Sequence, residues 1–382
     1  MRDAATWYGW LVTGGYIYLL NGQGNVLPFL KQEFSLSYRD VSLHSSAIAL
    51  GVLLVGLFGE RVSIAFGRRN ALRFGMLGLS FGGLCLCFSP APWASVASCS
   101  MMGVLGTLGP AIVPALLSDI HGERRAAAYA GQGIVAYAFG FAVPLITGLF
   151  IWLGWGWRPA VLLGVALNLI IVAAFWRVAI ADSPSRTSQA KQHLPPVFWA
   201  YWSLLFAATA LEFCVVFWAP EFFAKIVHFD AAMAATAAAG FPLGMLIGRI
   251  ALGGLVHRVP TRALFAAALI IVAVGFALYW GVSQQIVSII GVFIIGLGIA
   301  PLYPLSTSFA VGAAPGASDL AAVRLAMAFG SSLLLAPFVL GSLADRLGIG
   351  TAHLALPVLI VAAGAVLAIA ATLERRGARE AG

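Results

Sequence analysis

Residues Val197 to Phe223 read VFWAYWSLLFAATALEFCVVFWAPEFF. The run exceeds the roughly 20 apolar residues that a helix needs to cross a bilayer. It carries one acid, Glu212, near its middle. Counting from Val197 at about 1.5 Å per residue puts Glu212 about 22 Å into the helix. An ionised carboxylate at that depth is costly, so it faces a partner or a water-filled cavity. The stretch therefore reads as a membrane span with a functional acid.

The rest of the chain fits this reading. Of 382 residues, 61% are hydrophobic and 9% are charged, whereas a soluble domain has about 25% charged residues. The mean hydropathy is +0.96. Apolar windows and turn residues predict twelve spans, at roughly 7–29, 41–60, 70–89, 93–117, 127–153, 158–180, 197–223, 231–254, 262–281, 284–312, 319–343 and 351–373. No two-residue alternation recurs, which argues against a barrel. The fold class is thus an all-α membrane protein. Segment 181–196, ADSPSRTSQAKQHLPP, is the one long polar link. It divides the chain into 1–180 and 197–382 and reads as a solvated cytoplasmic linker. After MRDAAT the chain enters its first span without an A-x-A cleavage site, so that helix reads as retained and not as a signal peptide.

Charge sets the orientation. All but five of the 22 lysines and arginines fall on the face that carries the N-terminus; the exceptions are Lys31, Arg39, Arg158, Lys225 and Arg346. The positive-inside rule then makes both termini cytoplasmic. The net charge of +8 belongs to these loops and implies no nucleic-acid partner. The four cysteines, Cys85, Cys87, Cys99 and Cys214, lie in apolar runs without metal-ligand spacing and read as packing residues. No cofactor is expected. The segment lacks G-x-x-x-x-G-K-S/T and HExxH, and no catalytic constellation indicates an enzyme.

The halves repeat. Pro144-Leu-Ile-Thr-Gly148 answers Pro337-Phe-Val-Leu-Gly341 at an offset of 193. Ser37 and Asp230 share that offset, as do Gly51 and Gly244. Pro28 answers Pro220 at 192, and Pro110 and Pro114 answer Pro301 and Pro304 at 191 and 190. Five matches in register imply two pseudo-symmetric six-helix bundles.

On these features the chain resembles the major facilitator superfamily over nearly its full length. The loop Gly56-Leu-Phe-Gly-Glu60-Arg61-Val-Ser-Ile-Ala-Phe-Gly67-Arg68-Arg69 is similar to the family's signature loop, with Glu60 in place of its usual Asp. Gly248-Arg249 through Gly253-Gly254 to His257-Arg258 and Arg262 reads as a worn second copy. The resemblance implies secondary transport by alternating access in a bacterial cytoplasmic (inner) membrane. It also implies that Glu60, Arg61, Arg68 and Arg69 act as a latch in the outward-open state.

Several residues could line a central site. Glu212 reads as the proton-coupling group and a substrate ligand, because burial favours the neutral form of an acid. Its repeat counterpart is Asn21, in the NGQGN segment with Asn25 one turn on. Amides of this kind donate and accept without charge. Tyr18, Tyr137, Trp218 and Tyr303 would supply an aromatic wall, and Gln132 an inner cavity contact. His44 reads as an outer-rim histidine, and Arg324 as an anchor at the cytoplasmic face. These features favour proton-coupled uptake (symport) of a small polar organic solute by a monomer among lipids. Efflux of amphipathic drugs is the rival reading. It is weakened by Cys99 and Val143, which stand where exporters of the family have an arginine and a glycine. A non-transporting receptor or chaperone on the same scaffold is the other.

Overall fold

The computed structural model describes residues 3–122, 125–180, 194–282, 284–314 and 317–380, leaving aside the side chains of residues 60, 125–127, 318, 319 and 375–380. Among these residues all regular structure is α-helical. In chain order the helices are α1 (Ala4–Glu33), α2 (Tyr38–Phe66), α3 (Arg68–Cys87), α4 (Pro92–Gly106), α5 (Leu108–His121), α6 (Arg125–Trp152), α7 (Arg158–Ala174), α8 (Pro196–Lys225), α9 (Ala231–Ala237), α10 (Gly240–Leu255), α11 (Thr261–Gly281), α12 (Gln285–Ile299), α13 (Leu302–Gly312), α14 (Ser318–Leu347), α15 (Ile349–Ala352) and α16 (Ala355–Glu380).

Ten stretches of the described residues are long and apolar enough to cross a membrane. Six lie in α2, α3, α6, α8, α11 and α14. Four join consecutive helices: α4 with α5, α9 with α10, α12 with α13, and α15 with α16. Two other helices occupy the remaining expected positions. α1 has 30 residues but contains the polar NGQGN segment. α7 has 17 residues, at the lower limit of about 17 for a span. α1 packs on α5, α6 and α8, and α7 packs on α3.

Three expected spans are broken well inside their length where the sequence reading drew them continuous, and the span expected at 351–373 breaks near its start, between α15 and α16. α4 gives way to α5 at Thr107, α9 to α10 at Ala238 and Ala239, and α12 to α13 at Ala300 and Pro301. Each break has a proline beside it: Pro110 and Pro242 lie in the first turn of α5 and α10, and Pro301 caps α13. Proline lacks the N–H that an unbroken helix would use, but a first turn has no partner for that N–H.

The duplication is visible in the contacts. Ser37 and Asp230 cap their helices by accepting from Asp40 N at 3.0 Å and Met233 N at 2.8 Å. The breaks at Thr107 and Ala300 are 193 residues apart. A Cβ on Gly103 would lie 2.4 Å from the Ile48 carbonyl oxygen, and one on Gly296 would lie 2.2 Å from that of Phe241. Those two crossings, α4 on α2 and α12 on α10, are also related by 193 residues. Small residues let membrane helices approach to backbone contact. Gly296→Val is therefore expected to force α10 and α12 apart and cost about 1–3 kcal/mol or more. Its thermal unfolding midpoint in detergent should fall, and Gly103→Val should match it. Unchanged midpoints would mean that the crossings are loose.

α1 and α8 run side by side in the same direction. A Cβ on Gly24 would lie 2.0 Å from the Val216 carbonyl oxygen, and Lys31 bonds Glu221 farther along. Glu374, near the end of α16, bonds Tyr201 at the start of α8. Both ends of the chain thus lie on one face of the bundle, here the terminal face. Contacts between the halves gather at the opposite, far face. Besides α1 on α8, the Ser42 and Ser46 hydroxyls of α2 donate to the Pro337 and Leu334 carbonyls of α14 at 3.3 and 3.0 Å. A Cβ on Gly148 of α6 would lie 2.0 Å from the Thr236 hydroxyl of α9. The halves therefore touch at the far face, beside a cavity lined by Asn25, Lys31 and Glu221.

Candidate functional site

α6 of the first half packs against α9 and α10 of the second, and this contact assembles a charged cluster. Arg249, in the second half of α10, donates through Nη2 to the Tyr137 hydroxyl of α6 at 3.1 Å. Its guanidinium carbon lies 5.2 Å from the centre of the Tyr137 ring. Glu212 of α8 lies near enough for its charge to act on Arg249 and on the Tyr137 phenol, without a hydrogen bond or ion pair to either. α13 adds Tyr303, whose phenol feels both charges and whose ring meets Phe329 edge-on at 6.0 Å. All four residues are half-buried. The Arg249 Nε is buried and has no hydrogen-bond partner.

Asn21 belongs to the same level. Its amide nitrogen lies 2.9 Å from where a Cβ on Gly140 would sit, with Pro242 of α10 beside it. Gly140 is one turn from Tyr137 on α6. Asn25 sits one turn nearer the far face. It is buried, its Oδ1 has no partner, and it lines a cavity of about 650 Å³ with Lys31, Gln32, Pro220 and Glu221.

A second charged group lies at the far face. Lys31 Nζ is 2.9 Å from Glu221 Oε1. The Tyr38 hydroxyl donates to the same oxygen at 3.0 Å, and the ammonium sits 3.5 Å from the Tyr38 ring centre. The Asp345 carboxylate of α14 accepts from Tyr38 N and Arg39 N, at the start of α2, at 2.7 and 2.8 Å. This second group ties α1 and α2 to α8 and α14.

The other candidate residues lie elsewhere. The Tyr18 hydroxyl donates to the Ala160 carbonyl at 3.0 Å and is buried between α1 and α7. Gln132 donates to the Thr13 hydroxyl at 2.9 Å, inside the first half. Trp218 is buried and donates to the Pro337 carbonyl at 3.1 Å, with its ring edge-on to Tyr38 at 5.7 Å. His44 is not a rim residue. It is fully buried between α2 and α4, bonded to the Val41 carbonyl and the Ser95 hydroxyl at 2.8 Å each. α2 starts at Tyr38, earlier than expected, which carries His44 deeper and turns it toward α4.

Of the signature-loop residues, the Glu60 side chain is outside the described residues. Arg61 is exposed, 5.9 Å from the Phe58 ring centre. Arg68 is buried and pairs with Asp119 of α5 at 2.6 Å. Arg69 donates to the Trp176 carbonyl at 2.6 Å. These last two contacts stay within the first half.

Sequence reasoning missed Arg249 and the Lys31–Glu221 pair. Arg249 was placed among the cytoplasmic-face arginines. The signal was present: an arginine inside the apolar run GFPLGMLIGRIALGGL needs a buried anion.

The chain is similar to known proteins throughout. A family model described as Major Facilitator Superfamily matches residues 9–331. A gentisate transporter of Corynebacterium glutamicum is 28% identical over 163 residues, which are 41% of this chain and 36% of that protein. An uncharacterised MFS-type transporter of Bacillus subtilis, YtbD, is 24% identical over 343 residues, 85% of this chain and 84% of that one. Two solved structures share the fold. A bacterial homolog of the human lysosomal transporter Spinster, inward-facing and occupied, superposes with a TM-score of 0.70 at 15% identity over 96% of each chain. The nucleoside transporter NupG does so with a TM-score of 0.77 at 10% identity over 96% of this chain and 99% of its own.

Proposed function

The chain belongs to the Major Facilitator Superfamily, and from that premise we propose that it is a proton-coupled carrier that takes up a small polar organic solute. The family consists of transporters and not enzymes, so the chain is a multi-pass membrane protein with a small-molecule substrate. The rest is our reading. The carrier is a monomer in the cytoplasmic membrane with both termini inside. It works by alternating access, as residues 1–180 rock against 197–382; residues 181–193 of the 181–196 linker lie outside the described residues.

One observation supports this above the others: Arg249 of the second half bonds Tyr137 of the first, with Glu212 near enough for its charge to act on both. A site divided in this way changes shape when the halves move. Tyr137, Tyr303, Asn21 and Arg249 hold the solute there, and Glu212 carries the proton. Asn25 lies on the approach from the far face. Tyr18, Gln132 and Trp218 position their helices. Glu60, Arg61, Arg68 and Arg69 serve the opposite state, when the far face is open.

The test is uptake into proteoliposomes with an imposed pH gradient. Gentisate is the first solute to try, given the similarity to the gentisate transporter. Uptake that ignores the gradient would refute proton coupling. Tyr137→Phe keeps the ring beside Arg249 but removes the hydroxyl that Arg249 bonds. Hydrogen bonds to charged groups contribute about 1.5–3 kcal/mol, so apparent affinity should fall about tenfold to a hundredfold. An unchanged half-saturation concentration would place the solute elsewhere.

A further inference from the structure

The seam between α3 and α7 is balanced in charge at one end and not at the other. At the far face Arg158 opens α7, donates through Nε to the Cys87 carbonyl at 2.9 Å and pairs with Glu33 of α1. At the terminal face Arg69 and Arg73 stand in the first two turns of α3, and Arg177 lies three residues past the end of α7. Among the described residues no carboxylate pairs with any of these three, and Asp119 is taken by Arg68.

Their shared acceptor is the Trp176 carbonyl. Arg69 Nη2 donates to it at 2.6 Å, and Arg73 Nη2 donates to it as well. The Arg73 guanidinium carbon also lies 3.9 Å from the Trp176 ring centre. The Arg69 Nε is buried without a partner. So is the hydroxyl of Tyr8, whose ring stacks on Phe175 at 5.4 Å and which lies near enough for the charges of Arg69 and Arg73 to act on it. A helix end explains part of this arrangement. Trp176 follows the C-terminus of α7, which carries about half a negative charge, but α3 begins here with about half a positive one. The two cancel. Three guanidinium charges remain without a counter-ion, beside two buried donors that lack acceptors. Buried donors left unmet are destabilising, so the site demands an anion rich in oxygens.

A groove of about 530 Å³ adjoins the arginines, lined by Leu169, Val172, Ala173, Ala174, Trp176 and Arg177. Leu169 and Trp176 are exposed there, on the outside of the bundle, where a membrane-spanning helix meets acyl chains. Arginine forks match phosphate oxygens, and basic pockets at the border of membrane helices take anionic headgroups.

We propose that this end of the α3–α7 seam binds an anionic phospholipid. Arg69, Arg73 and Arg177 surround the headgroup phosphate, and one acyl chain lies in the groove on α7. A zwitterionic headgroup brings its own cation and leaves the arginines unbalanced. The site lies apart from the central cluster and is independent of the solute carried there.

The test counts bound lipid by native mass spectrometry on the full chain in detergent, titrated with phosphatidylglycerol, phosphatidylcholine, glycerol phosphate or inorganic phosphate. Phosphatidylglycerol should bind at least about tenfold more tightly than phosphatidylcholine, and the two soluble phosphates, which bury no chain, about a hundredfold more weakly or less. Arg73→Gln combined with Arg177→Gln should lower phosphatidylglycerol affinity about tenfold or more and leave that of phosphatidylcholine unchanged. Arg258→Gln removes an exposed terminal-face charge outside the site and should change it less than about twofold. Ala173→Trp fills the groove without touching a charge. It should weaken phosphatidylglycerol about tenfold with the unfolding midpoint of the lipid-free protein retained, and it decides the matter if the arginine variant does not fold. Equal losses in Arg258→Gln and the double variant would mean diffuse attraction to a basic face and would overturn the site. Equal affinity for the two lipids would overturn the charge argument. Soluble phosphates that bind as tightly as phosphatidylglycerol, or full affinity in Ala173→Trp, would overturn a lipid as the ligand.

Discussion

Glu212→Gln is expected to abolish accumulation driven by a pH gradient while sparing exchange of labelled solute across the membrane. At one proton per solute, each pH unit supports about a tenfold concentration ratio, since about 1.4 kcal/mol corresponds to a factor of ten. The variant should bring that ratio to one. Glutamine has the shape of the protonated acid, but it cannot gain or release a proton. The loaded carrier then resembles the wild type, and the empty carrier has no carboxylate to take up or release the coupled proton. Arg249 also loses the anion nearest it; breaking a fully buried pair costs about 3–5 kcal/mol, and these half-buried groups, not in direct contact, cost less. Access of water to the site reduces that cost. The unfolding midpoint of the variant must therefore be measured beside its transport. A folded Glu212→Gln protein that still accumulates solute against its gradient would remove Glu212 from the coupling step.

The sequence made the helices, their duplication and the central acid legible, because each rests on a local signal. Apolar length marks a span whatever surrounds it. The 193-residue register is preserved in caps, breaks and glycine crossings that backbone geometry requires. Glu212 was visible because no other acid interrupts the middle of its helix. Arg249 was misplaced for a physical reason. It lies six residues before the end of α10, where an arginine reads as an anchor at the face, and the hydroxyl it bonds belongs to another helix. It also sits in a Gly-Arg pair that resembles a loop motif. The aromatic candidates failed differently. Tyr18 and Trp218 are large enough to line a cavity, but their polar atoms are bonded to the Ala160 and Pro337 carbonyls. A sequence shows that a tyrosine has a hydroxyl and does not show which carbonyl lies opposite. The far-face pair had a signal that only the repeat could reveal. Lys31 and Glu221 lie near the ends of the first helix of each half, each close behind the proline of the Pro28–Pro220 match. They are not equivalent positions, since Lys31 follows its proline by three residues and Glu221 follows its own by one; the neighbouring ends of two parallel helices bring the opposite charges together.

Lys31→Met should open the far face, and the effect should be large. In the closed arrangement Glu221 is 4% exposed, and its partners are Lys31 at 2.9 Å and the Tyr38 hydroxyl at 3.0 Å. Without Lys31 the carboxylate stays buried with one neutral donor. Breaking a buried pair in this way costs about 3–5 kcal/mol. The cost falls on the closed state alone, because separation of α1 from α8 exposes both groups to water. The ratio of closed to open should therefore shift by at least about a hundredfold toward open. Asp345→Asn acts in the same direction by weakening the cap on α2, with a smaller effect of about 0.5–2 kcal/mol. Spin labels at Asp40 and His228, exposed on opposite sides of the closure, report the change as a longer distance in lipid nanodiscs. The charge-reversed double variant, Lys31→Glu with Glu221→Lys, should restore the short distance, which simple loss of packing would not do. A distance distribution unchanged in Lys31→Met would show that the Gly24 crossing and the α2–α14 contacts close the far face without the ion pair.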